Sequence, residues 1–112
     1  MIVDHQTCTI PHGRMDEYLE RYAAIGLALQ HRHLGHHIGC YVSEIGMLNQ
    51  VIHLWGFDSV ADRELRHARM RENPEWARFV AMNAGLFVVE ETRLLRATCF
   101  SPALPPDSST PR

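Results

Sequence analysis

The chain contains no lysine: all 11 of its cationic side chains, among 112 residues, are arginine, which excludes Schiff-base chemistry and a lysine general base. Cysteine is scarce and scattered. Cys8, Cys40 and Cys99 are odd in number and far apart, so neither a disulfide framework nor a Cys-x-x-Cys metal or redox site can be assembled from sequence neighbours, and a reducing compartment is expected. An excess of positive charge is missing as well. The arginines stand against 13 acidic residues for a formal net charge of -2, so the basic surface that phosphate backbones require is absent and no nucleic-acid partner is expected. No stretch reaches the ~18 apolar residues of a membrane span, and Met1-Ile2-Val3-Asp4-His5 lacks the basic region and apolar run of a leader. The chain is therefore read as cytoplasmic. No Gly-x-Gly-x-x-Gly follows a strand, and Ser-His-Asp order, a Gly-rich phosphate loop and paired carboxylates are all missing. The expectation is a protein that uses no metal, flavin or nicotinamide.

What is present is the composition of one ordinary folded domain, 46% hydrophobic and 21% charged. A chain of this length buries roughly 65% of its unfolded surface, so a partner chain would add noticeably to its stability. Ile2 to Ile10 is rich in Val, Thr and Ile and closes at Pro11-His12-Gly13, which predicts a first strand. Met15, Tyr18, Leu19, Tyr22, Ile25, Leu29 and His33 then recur at helical spacing, with Gly35 as the stop. His37 to Glu44 and Asn49 to Phe57 read as a hairpin turning at Gly46. Ser59 with Asp62 resembles a capping box and opens a second helical segment. Asn73-Pro74 interrupts it and restarts a short helix whose Trp76, Phe79 and Val80 share a face and which Gly85 ends. Leu86 to Phe100 supplies the last strand, and the Pro-rich residues 101–112 form an extended arm beyond a domain of residues 1–100.

The order β, α, β, β, α, β is that of a split βαβ, ferredoxin-like α+β domain: a four-stranded antiparallel sheet with helices on one face. Its other face needs a second layer, which the chain has no residues left to make. In the third strand Ile52 and Leu54 are purely apolar, whereas Asn49, Val51, His53, Trp55 and Phe57 alternate onto the opposite side. The expectation is that Ile52 and Leu54 meet the helices. Val51, His53 and Trp55 would then lie on the open face, covered by a second copy of the chain in a homodimer or higher homo-oligomer.

Asn49-Gln50-Val51-Ile52-His53-Leu54-Trp55-Gly56-Phe57-Asp58-Ser59, continuing through Ala61-Asp62-Arg63, resembles the signature of the NIPSNAP family. Supporting stretches are Tyr18-Leu19, His33-Leu34-Gly35, Gly39-Cys40-Tyr41, Ser43-Glu44-Ile45-Gly46, Pro74-Glu75-Trp76, Arg93-Leu94-Leu95 and Phe100-Ser101-Pro102. The resemblance spans nearly all of residues 1–102. It implies the dimeric α+β-barrel superfamily, in which two ferredoxin-like subunits join their open sheet faces. Relatives there include cofactor-independent monooxygenases, lactone isomerases and haem-degrading enzymes. Gln6 and Cys8 stand where this family often has Arg and Tyr, so a charged anion-binding role does not carry over to Gln6.

His53 is the candidate catalytic residue, since an imidazole beside an indole can exchange a proton near neutral pH or hydrogen-bond a ligand oxygen. The alternative is a histidine that only satisfies a neighbouring backbone group or the dimer mate. Asn49, Trp55, Tyr41 and Arg93 complete the candidate ligand-binding set; Trp55 can equally be core. Arg93 can fork onto a carboxylate or enolate, or pair with an acid such as Asp4 or Glu44. His31, His33, His36 and His37 crowd the end of the first helix, but their spacing straddles Gly35. They read as a solvated helix end rather than a metal site. Arg63, Arg66, Arg69 and Arg71 read as a solvated helix face. The expected function is binding or conversion of a small organic molecule without a cofactor, oxygenase- or isomerase-like. A non-catalytic homodimeric interaction protein is the alternative.

Overall fold

Alternating β-branched residues build the first strand, β1 (Ile2–Thr9), which lies second from one edge of an antiparallel sheet of order β2-β3-β1-β4. The computed structural model describes residues 1–109; residues 110–112 of the expected arm lie outside the described residues. The other strands are β2 (His36–Val42), β3 (Gln50–Phe57) and β4 (Val89–Arg96). β2 breaks register between His37 and Gly39, where a bulge re-aims the strand. β4 is shorter than the apolar run predicts. Leu86 is fully buried ahead of it, while Phe100 stands 90% exposed beyond its end.

The predicted first helix is one rod in three parts: α1 (Met15–Arg21), a π-helical turn (Tyr22–Gly26) and α2 (Leu27–Leu34), with right-handed backbone at both joints. The wider turn changes which side chains align. It stacks the Tyr18 and Tyr22 rings 6.0 Å apart, facing the sheet. The rod stops at Gly35, whose φ of +89° suits a residue without a Cβ. α3 (Val60–Glu72) starts where Ser59 Oγ accepts from Asp62 N at 3.0 Å. α4 (Pro74–Met82) starts where Asn73 Oδ1 accepts from Glu75 N at 2.9 Å. Trp76 and Phe79 of α4 pack inward as expected, whereas Val80 is half exposed. No helix among the described residues is long and apolar enough to cross a membrane.

The pairing inverts the expected face assignment. Val51, His53, Trp55 and Phe57 are between 0 and 3% exposed, and they pack under the helices with Tyr18, Tyr22, Leu34, Met70 and Phe79. Ile52 and Leu54 take the open side. Purely apolar character pointed to Ile52 and Leu54 as core, but the larger apolar area of Trp55 and Phe57 decides which face is buried. His53 follows because a helix residue satisfies one of its nitrogens.

The arm does not trail away. Leu104 packs on Gly56, the Pro105 carbonyl accepts from His36 Nδ1 at 2.7 Å, and Ser108 Oγ donates to the Gly35 carbonyl at 2.8 Å. Asp107 accepts from Arg66 at 2.8 Å. The Arg66 guanidinium and the Ser109 groups hold the Asp107 carboxyl well below its ordinary range, despite partial burial. The arm thus covers one end of the open face above Val3, Ile38 and Leu54.

Candidate functional site

Residues directly opposite in antiparallel strands project to the same face. The pairings Gln6 with His53 and Cys40 with His53, together with Cys8 opposite Val51 and Glu90, therefore set Gln6, Cys8, Cys40, His53 and Glu90 on the helix side of three neighbouring strands and β4. Over them the helix rod contributes Tyr18, Tyr22 and Gln30. The last turn of α4 and the residues after it contribute Phe79, Ala81, Asn83 and Ala84. Between the layers is a cavity of about 530 Å³, lined by these side chains except Cys40, with Phe87 and Trp76 completing its aromatic wall. That size is ordinary for a small-molecule site.

The cavity's polar centre is a tyrosine–histidine pair. Tyr18 Oη lies 2.7 Å from His53 Nε2, and the Tyr22 ring packs 4.7 Å from the imidazole. Tyr22 in turn donates to Gln30 Oε1 at 2.5 Å. A buried phenol must place its hydrogen somewhere. Tyr18 has His53 as its hydrogen-bond partner, so the arrangement that satisfies it has the hydroxyl donating to Nε2, which puts the imidazole proton on Nδ1. His53 Nδ1 is buried and has no partner among the described residues, and the same holds for Asn83 Oδ1 at the end of α4. Burial, aided by the charge His37 would carry, pushes the His53 pKa down to about 4. The ring is neutral at physiological pH. Burial raises the Tyr18 and Tyr22 phenols above their ordinary range and pushes the Cys8 thiol up to about 12, so none of these ionises readily.

Of the candidate residues taken from the sequence, His53 alone lines the cavity. Trp55 is buried one row away, against His37 at 4.4 Å between ring centroids, with its indole N–H unpartnered among the described residues. Tyr41 faces the open side opposite Ile52, half exposed and folded over Gly39. Asn49 sits at the entry to β3 with φ of 63°, where its carbonyl accepts from Ile10 N at 2.7 Å. Arg93 lies on the open face beside His5 and pairs with Glu91 at 2.7 Å, rather than with Asp4 or Glu44. Asp4 instead takes Arg63 at 2.8 Å, and Arg66 bridges Asp62 and Asp107. Two members of the supposedly solvated arginine face therefore anchor the helix layer and the arm.

The clustered histidines disperse: His33 bonds Asn73, His36 bonds the Pro105 carbonyl, and His31 packs edge-on to His37. No three His, Cys, Asp or Glu side chains among the described residues converge as a metal site would need. Sequence reasoning missed Tyr18, Tyr22 and Asn83 as site residues. Tyr18 and Tyr22 stand four apart and so share a helix face, a signal that reads as core until the sheet face opposite them is known.

The NIPSNAP family model matches residues 4–102. A crystal structure of a NIPSNAP family protein from Agrobacterium tumefaciens is 40% identical and superposes with a TM-score of 0.87, over 90% of this chain and 96% of that one. A NIPSNAP-like domain protein from Burkholderia xenovorans is 36% identical with a TM-score of 0.91, over 95% and 92%. An antibiotic biosynthesis monooxygenase is 13% identical with a TM-score of 0.58, over 88% and 99%, a likeness of fold alone. Comparison with curated proteins finds no match.

Proposed function

The chain belongs to the NIPSNAP family, and from that footing we propose that its helix–sheet cavity binds a small organic molecule and acts on it through His53 without a cofactor. The observation that supports this is one buried imidazole with two different nitrogens. Nε2 is engaged by Tyr18 at 2.7 Å, and Nδ1 is buried without a partner, reached by a ligand once a neighbouring side chain shifts. A neutral imidazole N–H is a good donor to a ligand oxygen that gains charge during reaction, because it stabilises that charge without the buried ring first having to be protonated. Full protonation is opposed by the burial that lowers the His53 pKa. The chemistry this favours is hydrogen-bond stabilisation of an enolate-like oxygen, as an isomerase or a cofactor-free oxygenase requires. Tyr18 fixes the tautomer and Tyr22 walls the ring.

The test is native mass spectrometry of the protein mixed with a metabolite extract, repeated with His53→Ala and with Ala81→Trp, which fills the cavity mouth from the last turn of α4. A small molecule retained by the wild type and lost in both variants is expected. Retention of nothing, or retention unchanged by Ala81→Trp, overturns the reading.

A non-catalytic dimerisation module is the second reading, and the open sheet face favours it. Ile52 and Leu54 are only half buried there, and Tyr41, Val89 and Leu95 are between 45 and 56% exposed. The homodimer expected from the sequence would use this side, beside the arm, since the side bearing His53 and Trp55 is already covered by helices. Sedimentation of Ile52→Glu separates the two: a monomer that still retains the small molecule places binding within one subunit, whereas loss of both ties the pocket to assembly.

A further inference from the structure

The lining of the cavity also carries information about the charge of what fits it. No arginine is among the lining side chains, the chain has no lysine, and the one histidine there is neutral. The Arg21 guanidinium, which reaches the end of α4, is occupied by the Met82 carbonyl at 2.6 Å and by Glu17 at 2.8 Å. The single formal charge in the lining is the carboxylate of Glu90, an exposed residue on the edge strand β4. A carboxylate or phosphate ligand would enter a mostly apolar pocket with no cation to pair with and a like charge at its rim, which is unfavourable on both counts.

His53 Nδ1 and Asn83 Oδ1 have no partners among the described residues, but both atoms are closed off from the cavity space by their surroundings, so the character of a ligand is read from the charge and the walls of the lining. Tyr18, Tyr22, Phe79 and Phe87 supply flat apolar walls. Resting on the reading above, we infer that the cavity selects an uncharged planar molecule over its anionic analogue. Hydroxyaryl amides and ketones fit that description; their carboxylate analogues are rejected.

A matched pair of probes tests this with the full chain. 3-Hydroxy-2-naphthamide and 3-hydroxy-2-naphthoate have nearly the same shape and differ in charge, and both can be titrated by their fluorescence at pH 7. The amide is expected to bind at least about ten-fold tighter, the size of one unpaired charge or lost hydrogen bond. Glu90→Gln should recover part of the naphthoate affinity. Naphthoate binding as tightly as the amide, with both abolished by Ala81→Trp, overturns the inference and leaves the pocket reading standing. Binding of neither probe, or binding indifferent to Ala81→Trp, overturns the pocket reading and the inference with it.

Discussion

Replacing His53 by glutamine isolates the energetics of the buried imidazole. Glutamine keeps an acceptor for the Tyr18 hydroxyl, which now lies 2.7 Å from Nε2, and removes the titration. Burial lowers the His53 pKa from 6.5 to about 4. Between those values the unfolded chain holds a proton on this residue that the folded chain does not, so unfolding takes up a proton and stability falls as the pH falls through the window. At about 1.4 kcal/mol per pKa unit the full loss is about 3 kcal/mol, most of it spent by pH 4.5. That is a large part of the total for a domain this small. At pH 7 the variant should lose about 1 kcal/mol from ring packing on Tyr22. Urea denaturation of both proteins between pH 7 and pH 4.5 is the assay. The lowered pKa values of His33 and His37 pull in the same direction, but they remain in both proteins and cancel in the difference. Wild type should approach and then fall below the variant as the pH drops. Parallel curves would refute the reasoning, since they would mean that the imidazole is not held neutral by burial.

Two further outcomes follow from the same geometry. Tyr18→Phe keeps the edge contact with Phe87 and the stacking on Tyr22 but takes the partner from the buried His53 Nε2. It should cost about 1–3 kcal/mol in urea denaturation, and a loss under ~0.5 kcal/mol would dismiss the hydrogen bond. Gly35→Ala meets a φ of +89° and would drive its Cβ into Asp107 and Arg66, so beyond about 1 kcal/mol of backbone strain it should release the arm. Limited proteolysis would then cut within residues 101–109 well before the rest of the chain, and an arm as resistant as wild type would show that Gly35 does not position it.

Much of the fold is legible in the sequence because it rests on local chemistry. The strands announce themselves in β-branched runs, Gly35 stops the long helix, and Ser59 and Asn73-Pro74 cap the next two, since each signal acts within a few residues of itself. The six-element order then admits few topologies. What stayed hidden depended on contacts distant in sequence. Alternation in β3 divides its residues into two sets, but it does not say which set meets the helices. That was settled by the greater area of Trp55 and Phe57, and by a hydroxyl from Tyr18, 35 residues away, that makes burial of His53 tolerable. The same inversion put His53 in a cavity within one chain instead of on the open face. It brought in Asn83, whose significance in sequence was only that it follows a short helix. Arg63 and Arg66 likewise read as solvated until Asp4 and Asp107 arrive from opposite ends of the chain. Local propensity decides elements; which side chains meet across the layers is a property of the packed whole, where area, charge and hydrogen-bond satisfaction are resolved together.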